Sequence, residues 1–374
     1  MSSRPGRAIR RALTSIVPVT ALLALAACGT DTTPAADSAK AAASDSPGLV
    51  AAREAVKKYS EHPDRIPVTE PVGKKIPEDK KIDFILCGVQ SCQDLANFFT
   101  AGAELLGWHV KQIATQGTPE SVQAAYEQAL RDKPDAVVAS GFPRAVYAKQ
   151  LAQLKAANIP VIQSNADDVV GEGIALLKNG PDDVAVQGEM LASWVVSDSA
   201  AQADTVYFDL PAYTILKPVK DTFAAKYKEW CEGCALDSVD VPITSIGKDM
   251  PDRVVSYLRS HPKVTHVVFS LGLLNVGVPA ALKTAGITGK HIAVNVGDGQ
   301  NYQYIQSGLS DAAMALNSHE AAWLQVDALA RHFTGQSMDM DQKAVLPNML
   351  ITGTVPGTYR RRWAPCWDPA GPRC

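Results

Sequence analysis

VQAAYEQALRDKPDAVVASGFPRAVYAKQLAQLKAANIPVIQSN, residues 122–165, decides the fold class. Val122, Ala125, Tyr126, Ala129 and Leu130 recur at i, i+3, i+4, i+7 and i+8, the spacing of a helix with one apolar face. Just ahead, Thr118-Pro119-Glu120 supplies an N-cap, a proline at the first helical position and an acid in the first turn. Ala136–Ala139 is a short unbroken apolar run, as expected of a strand covered on both faces. A second helix is predicted over Val146–Ala157, and Pro160 introduces another strand at Val161-Ile162.

The same alternation extends in both directions. Upstream, strands are predicted at Ile82–Leu86 and Trp108–Ala114, flanking a helix over Asp94–Leu106; downstream, Ile174–Leu177 reads as a fifth strand. After a helix over Val184–Val196 a second series begins, with strands at Thr205–Leu210, Leu236–Val241, His266–Ser270, Ile292–Val296 and Ala312–Leu316. Helices are expected between them around Lys217–Trp230, Asp252–Ser260, Val278–Ala285 and Tyr302–Gln306. Alternation of this kind predicts an α/β fold with parallel sheets covered by helices, and two sets predict two doubly wound lobes. The length agrees, because 374 residues exceed one comfortable core.

Lys+Arg number 36 against Asp+Glu 39, so no basic excess points to nucleic acid. The amino terminus reads as an address. Arg4, Arg7, Arg10 and Arg11 precede an apolar run, Leu13–Ala27, which contains Pro18 and is shorter than the ~20 residues of a membrane span. It ends in Leu25-Ala26-Ala27-Cys28, which resembles the lipobox of bacterial lipoproteins and implies a lipid on Cys28. Residues 1–27 are thus expected to be a signal peptide and 28–79 a flexible tether, with a short helix near Ala51–Tyr59 and four prolines (Pro63, Pro67, Pro71, Pro77) behind it.

Of seven cysteines, six remain once Cys28 is lipidated. They fall in local couples, Cys87 with Cys92, Cys231 with Cys234 and Cys366 with Cys374, and proximity alone suggests that pairing. Trp230-Cys231-Glu232-Gly233-Cys234 looks like the thioredoxin motif, but it follows helical spacing at Phe223, Tyr227 and Trp230. At a helix C-terminus the dipole disfavours a thiolate, so a structural clip is expected and a thiol oxidoreductase is a remote alternative. The seven histidines show no pair at ligand spacing along the chain, and neither a metal nor a cofactor is expected. Serine-hydrolase elbows, His-Glu-x-x-His and phosphate-binding loops are absent. No enzymatic activity is expected. The stretch 353–374 is a separate tail rich in Cys, Trp and Pro.

Lys133-Pro-Asp-Ala-Val-Val, Ala157-Asn-Ile-Pro-Val-Ile, Leu282-Lys-Thr-Ala-Gly286 and Val326-Asp-Ala-Leu-Ala330 occur in an order that resembles the type I solute-binding proteins of sugar ABC importers, such as ribose-binding proteins. The resemblance runs from about Lys81 to Gly335. It implies two lobes joined by three hinge crossings, near Leu177–Gly180, Ala315–Asn317 and Ala344–Leu346. The implied lobes are 80–178 with 317–344, and 179–316 with 345–352. Repressors sharing these lobes carry a DNA-binding domain where this chain has its lipobox. The implied protein is a monomer, lipid-anchored outside the cytoplasmic membrane, that captures a small molecule and delivers it to an ABC permease. A ligand sensor addressing a membrane receptor is the alternative.

Ligands of such folds lie beyond the carboxyl ends of the strands. The resemblance therefore places candidate contacts at Gln90, Ser91, Phe142, Gln163, Asn165, Tyr213, Lys217, Asn275, Asp298 and Asn317. The charged grips of sugar-binding relatives are largely replaced: their Asp-Arg falls on Asn165-Ala166, their Asn-Asp on Leu271-Gly272, and an arginine on Lys217. A sugar or a less polar cyclic compound is expected.

Overall fold

The computed structural model describes residues 45–61 and 67–353. The signal peptide, Cys28 and the Cys366–Cys374 couple lie outside the described residues. The elements run α1 (Pro47–Ser60), β1 (Lys81–Ile85), α2 (Gln90–Glu104), β2 (His109–Ile113), α3 (Pro119–Asp132), β3 (Ala136–Ser140), α4 (Ala148–Ala156), β4 (Val161–Ser164) and β5 (Ile174–Lys178). They continue with α5 (Pro181–Asp198), β6 (Asp204–Asp209), α6 (Leu216–Trp230), β7 (Ala235–Asp240), α7 (Met250–Ser260), β8 (His266–Phe269), α8 (Val278–Thr284), β9 (His291–Val294) and α9 (Gly299–Gln306). The last are β10 (Ala312–Ala315), α10 (Ser318–Phe333), α11 (Asp339–Lys343) and β11 (Met349–Thr352).

The strands form two sheets. The first has the order β2-β1-β3-β4-β5 and is parallel throughout; the second has the order β11-β10-β9-β8-β6-β7, with only β11 antiparallel. Every residue of β3 is buried, as its unbroken apolar run requires. On α3 the Thr118 hydroxyl accepts from the Ser121 backbone N–H, Lys133 closes the helix at φ 50°, and Val122, Ala125, Tyr126 and Ala129 form the buried stripe. Three crossings join the lobes, between β5 and α5, between β10 and α10, and between α11 and β11. Among the described residues no helix is long and apolar enough to cross a membrane.

The crossings are tied together by a buried lysine. Lys178, fully buried at the end of β5, donates from Nζ to the carbonyl oxygens of Asp341 (3.1 Å), Gln342 (3.2 Å) and Ala344 (2.6 Å). In return Gln342 brackets the Leu177 backbone, accepting from its N–H at 2.9 Å and donating to its oxygen at 3.0 Å. Burial lowers the Lys178 pKa.

The described part of the expected tether is packed rather than loose. Ser46 caps α1, whose Leu49, Ala52 and Ala55 are buried in the core that α5 and α6 also fill. A Cβ on Gly48 would come within 2.3 Å of the Trp230 carbonyl oxygen, so α1 lies nearly against the backbone of α6. Tyr59 donates to Glu189 Oε1 at 2.8 Å. Farther on, Val68, Val72 and Ile76 pack on the first lobe, the Trp108 indole donates to the Pro77 oxygen at 2.8 Å, and Lys74 Nζ donates to the Thr334 oxygen at 2.8 Å. The boundary of 28–79 as a tether is corrected accordingly: from residue 47 onward, outside 62–66, the chain belongs to the folded body. Its apolar positions acquire meaning only against α5, α6 and α10.

Asp83 supplies a pH test. It is buried on β1, its Oδ2 has no hydrogen-bond partner, and burial with the nearby Asp132 carboxylate pushes its pKa up to about 6. A carboxyl whose folded pKa is raised stabilises the fold when protonated, and that contribution disappears as pH rises from its unfolded value of ~3.9 through the folded one. Asp83→Asn, neutral at every pH, is expected to flatten the decline in stability between pH 4 and 8 and to exceed the parent at pH 8 by on the order of 1–2 kcal/mol. Urea unfolding at the two pH values checks it; an unchanged slope contradicts it.

Candidate functional site

Beyond the carboxyl ends of both sheets the lobes enclose a cavity of about 700 Å³, counting the open space at its mouth. The first lobe contributes Cys87, Val89, Ser91, Cys92 and Leu95 from β1 into α2, Gly141 after β3, Asn165 after β4, and Ser318 and Ala321 of α10. The second contributes Val184 and Gln187 of α5, Tyr213, Ile215, Leu216 and Val219 from β6 into α6, Leu271 after β8 and Val296 after β9. Asn179 and Leu316 lie at the crossings. Among the described residues no charged side chain lines this cavity.

Part of the wall is a disulfide. Cys87 pairs with Cys92, joining the end of β1 to the start of α2, and both cysteines are buried. Gly141 passes directly against it: at φ 93° a Cβ would lie 2.6 Å from the Cys87 Cβ, so only glycine fits. The second disulfide, Cys231–Cys234, closes the C-terminal end of α6, where Cys231 is the cap. That position is the one the thioredoxin-like reading does not tolerate.

Most polar groups of the wall are already tied to one another. Asn165, held at φ 51°, donates from Nδ2 to Ser140 Oγ at 2.9 Å and accepts at Oδ1 from Asn179 Nδ2 at 3.1 Å. Gln187 Oε1 accepts from Asn295 Nδ2 at 3.2 Å. What remains for a ligand includes the Asn179 oxygen, the second amide hydrogens of Asn165 and Asn179, the Gln187 amide hydrogens, the Ser91 and Ser318 hydroxyls and the Tyr213 phenol, whose pKa burial raises. The Tyr213 ring tilts against Phe142 at 6.1 Å between centroids.

Of the residues expected to meet a ligand, Ser91, Asn165 and Tyr213 line the cavity. The others fall elsewhere. Phe142 stands behind Tyr213, and its carbonyl oxygen accepts from the buried Gln163 amide. Gln90 donates to Asp94 on the exposed start of α2 at 2.9 Å. Lys217 pairs with Asp221 one helical turn on, its side chain 74% exposed. Asn275 is buried against Ser310 Oγ at 2.9 Å. Asp298 caps α9, accepting from Gln300 N at 3.0 Å and Asn301 N at 3.2 Å, and Asn317 caps α10, accepting from Glu320 N at 3.2 Å. Gln187 was missed, although a glutamine inside the apolar run of α5 was a usable sign.

The chain's residues 90–337 match the family described as the periplasmic binding protein domain. No curated protein sequence matches. Among solved structures, an ABC sugar transporter subunit from Rhodobacter sphaeroides 2.4.1 aligns with a TM-score of 0.64 at 18% identity over 74% of this chain and 98% of that one. An ABC transporter solute binding protein from Agrobacterium vitis with bound allitol gives 0.65 at 18% identity, over 74% and 96%. The periplasmic binding protein component of the arabinose ABC transporter from Shewanella sp. ANA-3 gives 0.65 at 15%, over 79% and 100%. At these identities the likeness is one of fold.

Proposed function

Because the chain belongs to the periplasmic binding protein domain family, we propose that it is the solute-capturing subunit of an ABC importer, held outside the cytoplasmic membrane by a lipid on Cys28. Its solute is uncharged and largely apolar, with a few polar atoms. The observation that carries this reading is the cavity wall, which among the described residues has no charged side chain and spreads its uncommitted polar groups among aliphatic ones.

Magnitudes favour such a solute over a sugar. Each sugar hydroxyl buried without a partner costs about 1–3 kcal/mol, and a pyranose carries several around its whole rim. Burying apolar surface against Leu95, Val184, Ile215, Leu271 and their neighbours contributes ~25 cal/mol per Å², so ~200 Å² supplies ~5 kcal/mol. A ligand with one apolar body and polar atoms at its ends meets both conditions. The lobes close over it by bending at the crossings, and the closed form is what the permease receives.

The test is a thermal-shift screen of the secreted chain against two panels, sugars and polyols in one, cyclic and polycyclic alcohols, ketones and lactones in the other. At ~100 times its dissociation constant a ligand adds ~2.7 kcal/mol, which moves the transition by several degrees. A response in the second panel is expected. A response confined to the first contradicts the assigned ligand class, and none in either contradicts solute capture.

A further inference from the structure

We propose that the second lobe carries a zinc site, formed by His266, His291 and Asp198 with Asp311 beside it, at the end of its sheet opposite the cavity. The register of β8 against β9 places His266 beside His291, and the two rings stack at 5.0 Å. Asp198, the last residue of α5, brings Oδ2 to 3.1 Å from His266 Nε2 and 3.0 Å from His291 Nδ1. These donor atoms all lie within 4.8 Å of one another. A fourth oxygen adjoins them: Asp311 Oδ1 is 3.7 Å from His291 Nδ1, while its Oδ2 accepts from Ile292 N at 2.7 Å.

Hydrogen bonding around His266 orients it for a cation. Thr265 Oγ1 accepts from Asp204 N at 3.2 Å and donates to Asp204 O at 3.3 Å. The same oxygen lies 2.8 Å from His266 Nδ1, and with the hydroxyl proton on the Asp204 oxygen it accepts an Nδ1–H. With the proton on Nδ1, Nε2 turns its lone pair toward the Asp198 carboxylate 3.1 Å away, and a metal ion or a proton stands between them. An outer partner that fixes the imidazole tautomer is the usual companion of a metal-bound histidine. Two imidazole nitrogens and one carboxylate oxygen, with the Asp311 carboxylate or a water as the fourth ligand, suit tetrahedral Zn²⁺. Entry is open on one side, where the side chains of His291 and Asp198 are 45% and 31% exposed. On binding, the two nitrogen lone pairs bond the metal and any proton they hold passes to solvent, so affinity falls as pH is lowered.

The site can be tested apart from the solute cavity. Co²⁺ is titrated into the secreted chain at pH 7.5, followed by its visible absorption and by fluorescence of Trp194, whose ring lies 5.8 Å from His266. One Co²⁺ per chain, with the intense visible bands of a tetrahedral site and displaced by Zn²⁺, is expected. His291→Gln, at a half-exposed position, should weaken binding by at least ~10-fold with unchanged circular dichroism, and Asp311→Asn should weaken it less. No stoichiometric binding overturns the proposal, because a proton then bridges His266 and Asp198. Binding that survives both His291→Gln and Asp198→Asn also overturns it, since the metal then sits elsewhere.

Discussion

Lys178→Met is expected to lower the unfolding free energy by about 3 kcal/mol and to loosen the hinge. Methionine fills a similar volume, so the loss is electrostatic: three carbonyl oxygens that accept from Nζ, two of them buried and that of Gln342 part-buried, would lose their donor. Each unsatisfied acceptor costs ~1–3 kcal/mol, and removal of the buried ammonium's own desolvation penalty offsets part of the sum. These oxygens belong to residues 341–344 at the start of the third crossing, and the lysine ends the strand that leads into the first. The variant should therefore exchange backbone hydrogens faster at 177–181 and 341–348 than the parent, in addition to unfolding at lower urea. An unchanged midpoint would mean that the clamp does not hold the crossings together.

Gly188→Ala is the second large effect. Helices α5 and α6 pack closely, and a Cβ at Gly188 would come 2.1 Å from the Val219 oxygen and 2.6 Å from the Phe223 nitrogen. Alanine improves helix propensity by up to about 1 kcal/mol. Forcing two backbones apart costs about 2–4 kcal/mol, so the clash decides the sign. Function should fall with stability, because α6 carries Leu216 and Val219 of the cavity wall while Gln187 and Val184 sit on α5 itself. Equal stability and equal ligand affinity in the variant would contradict the packing described.

The sequence was readable wherever structure is local. The β3 run and the α3 stripe with its Thr118 cap required no distant partner, and both sets of alternating elements followed from the same signals. Non-local features were hidden. Leu49, Ala52 and Ala55 make an unremarkable pattern until α5 and α6 cover them. His266 and His291 are far apart along the chain and became neighbours only through the register of two parallel strands, which is why ligand spacing did not show them. The absence of the sugar-gripping charges was legible at Ala166 and Leu271; which residues replaced them was not, because the wall is assembled from many separate segments of chain. Ser91, Asn165 and Tyr213 line that wall, while Asp298 and Asn317 cap helices, Lys217 pairs with Asp221 at the surface and Asn275 is buried against Ser310.

The central claim is that the two lobes close on an uncharged, mainly apolar solute. Isothermal titration of the secreted chain with the best-binding member of each panel, repeated at several temperatures, tests it most directly. Micromolar binding of a cyclic, sparingly polar ligand with a clearly negative heat-capacity change, the marker of apolar burial, is the predicted result. Micromolar binding of a sugar or polyol, with no heat from the apolar panel, would contradict it.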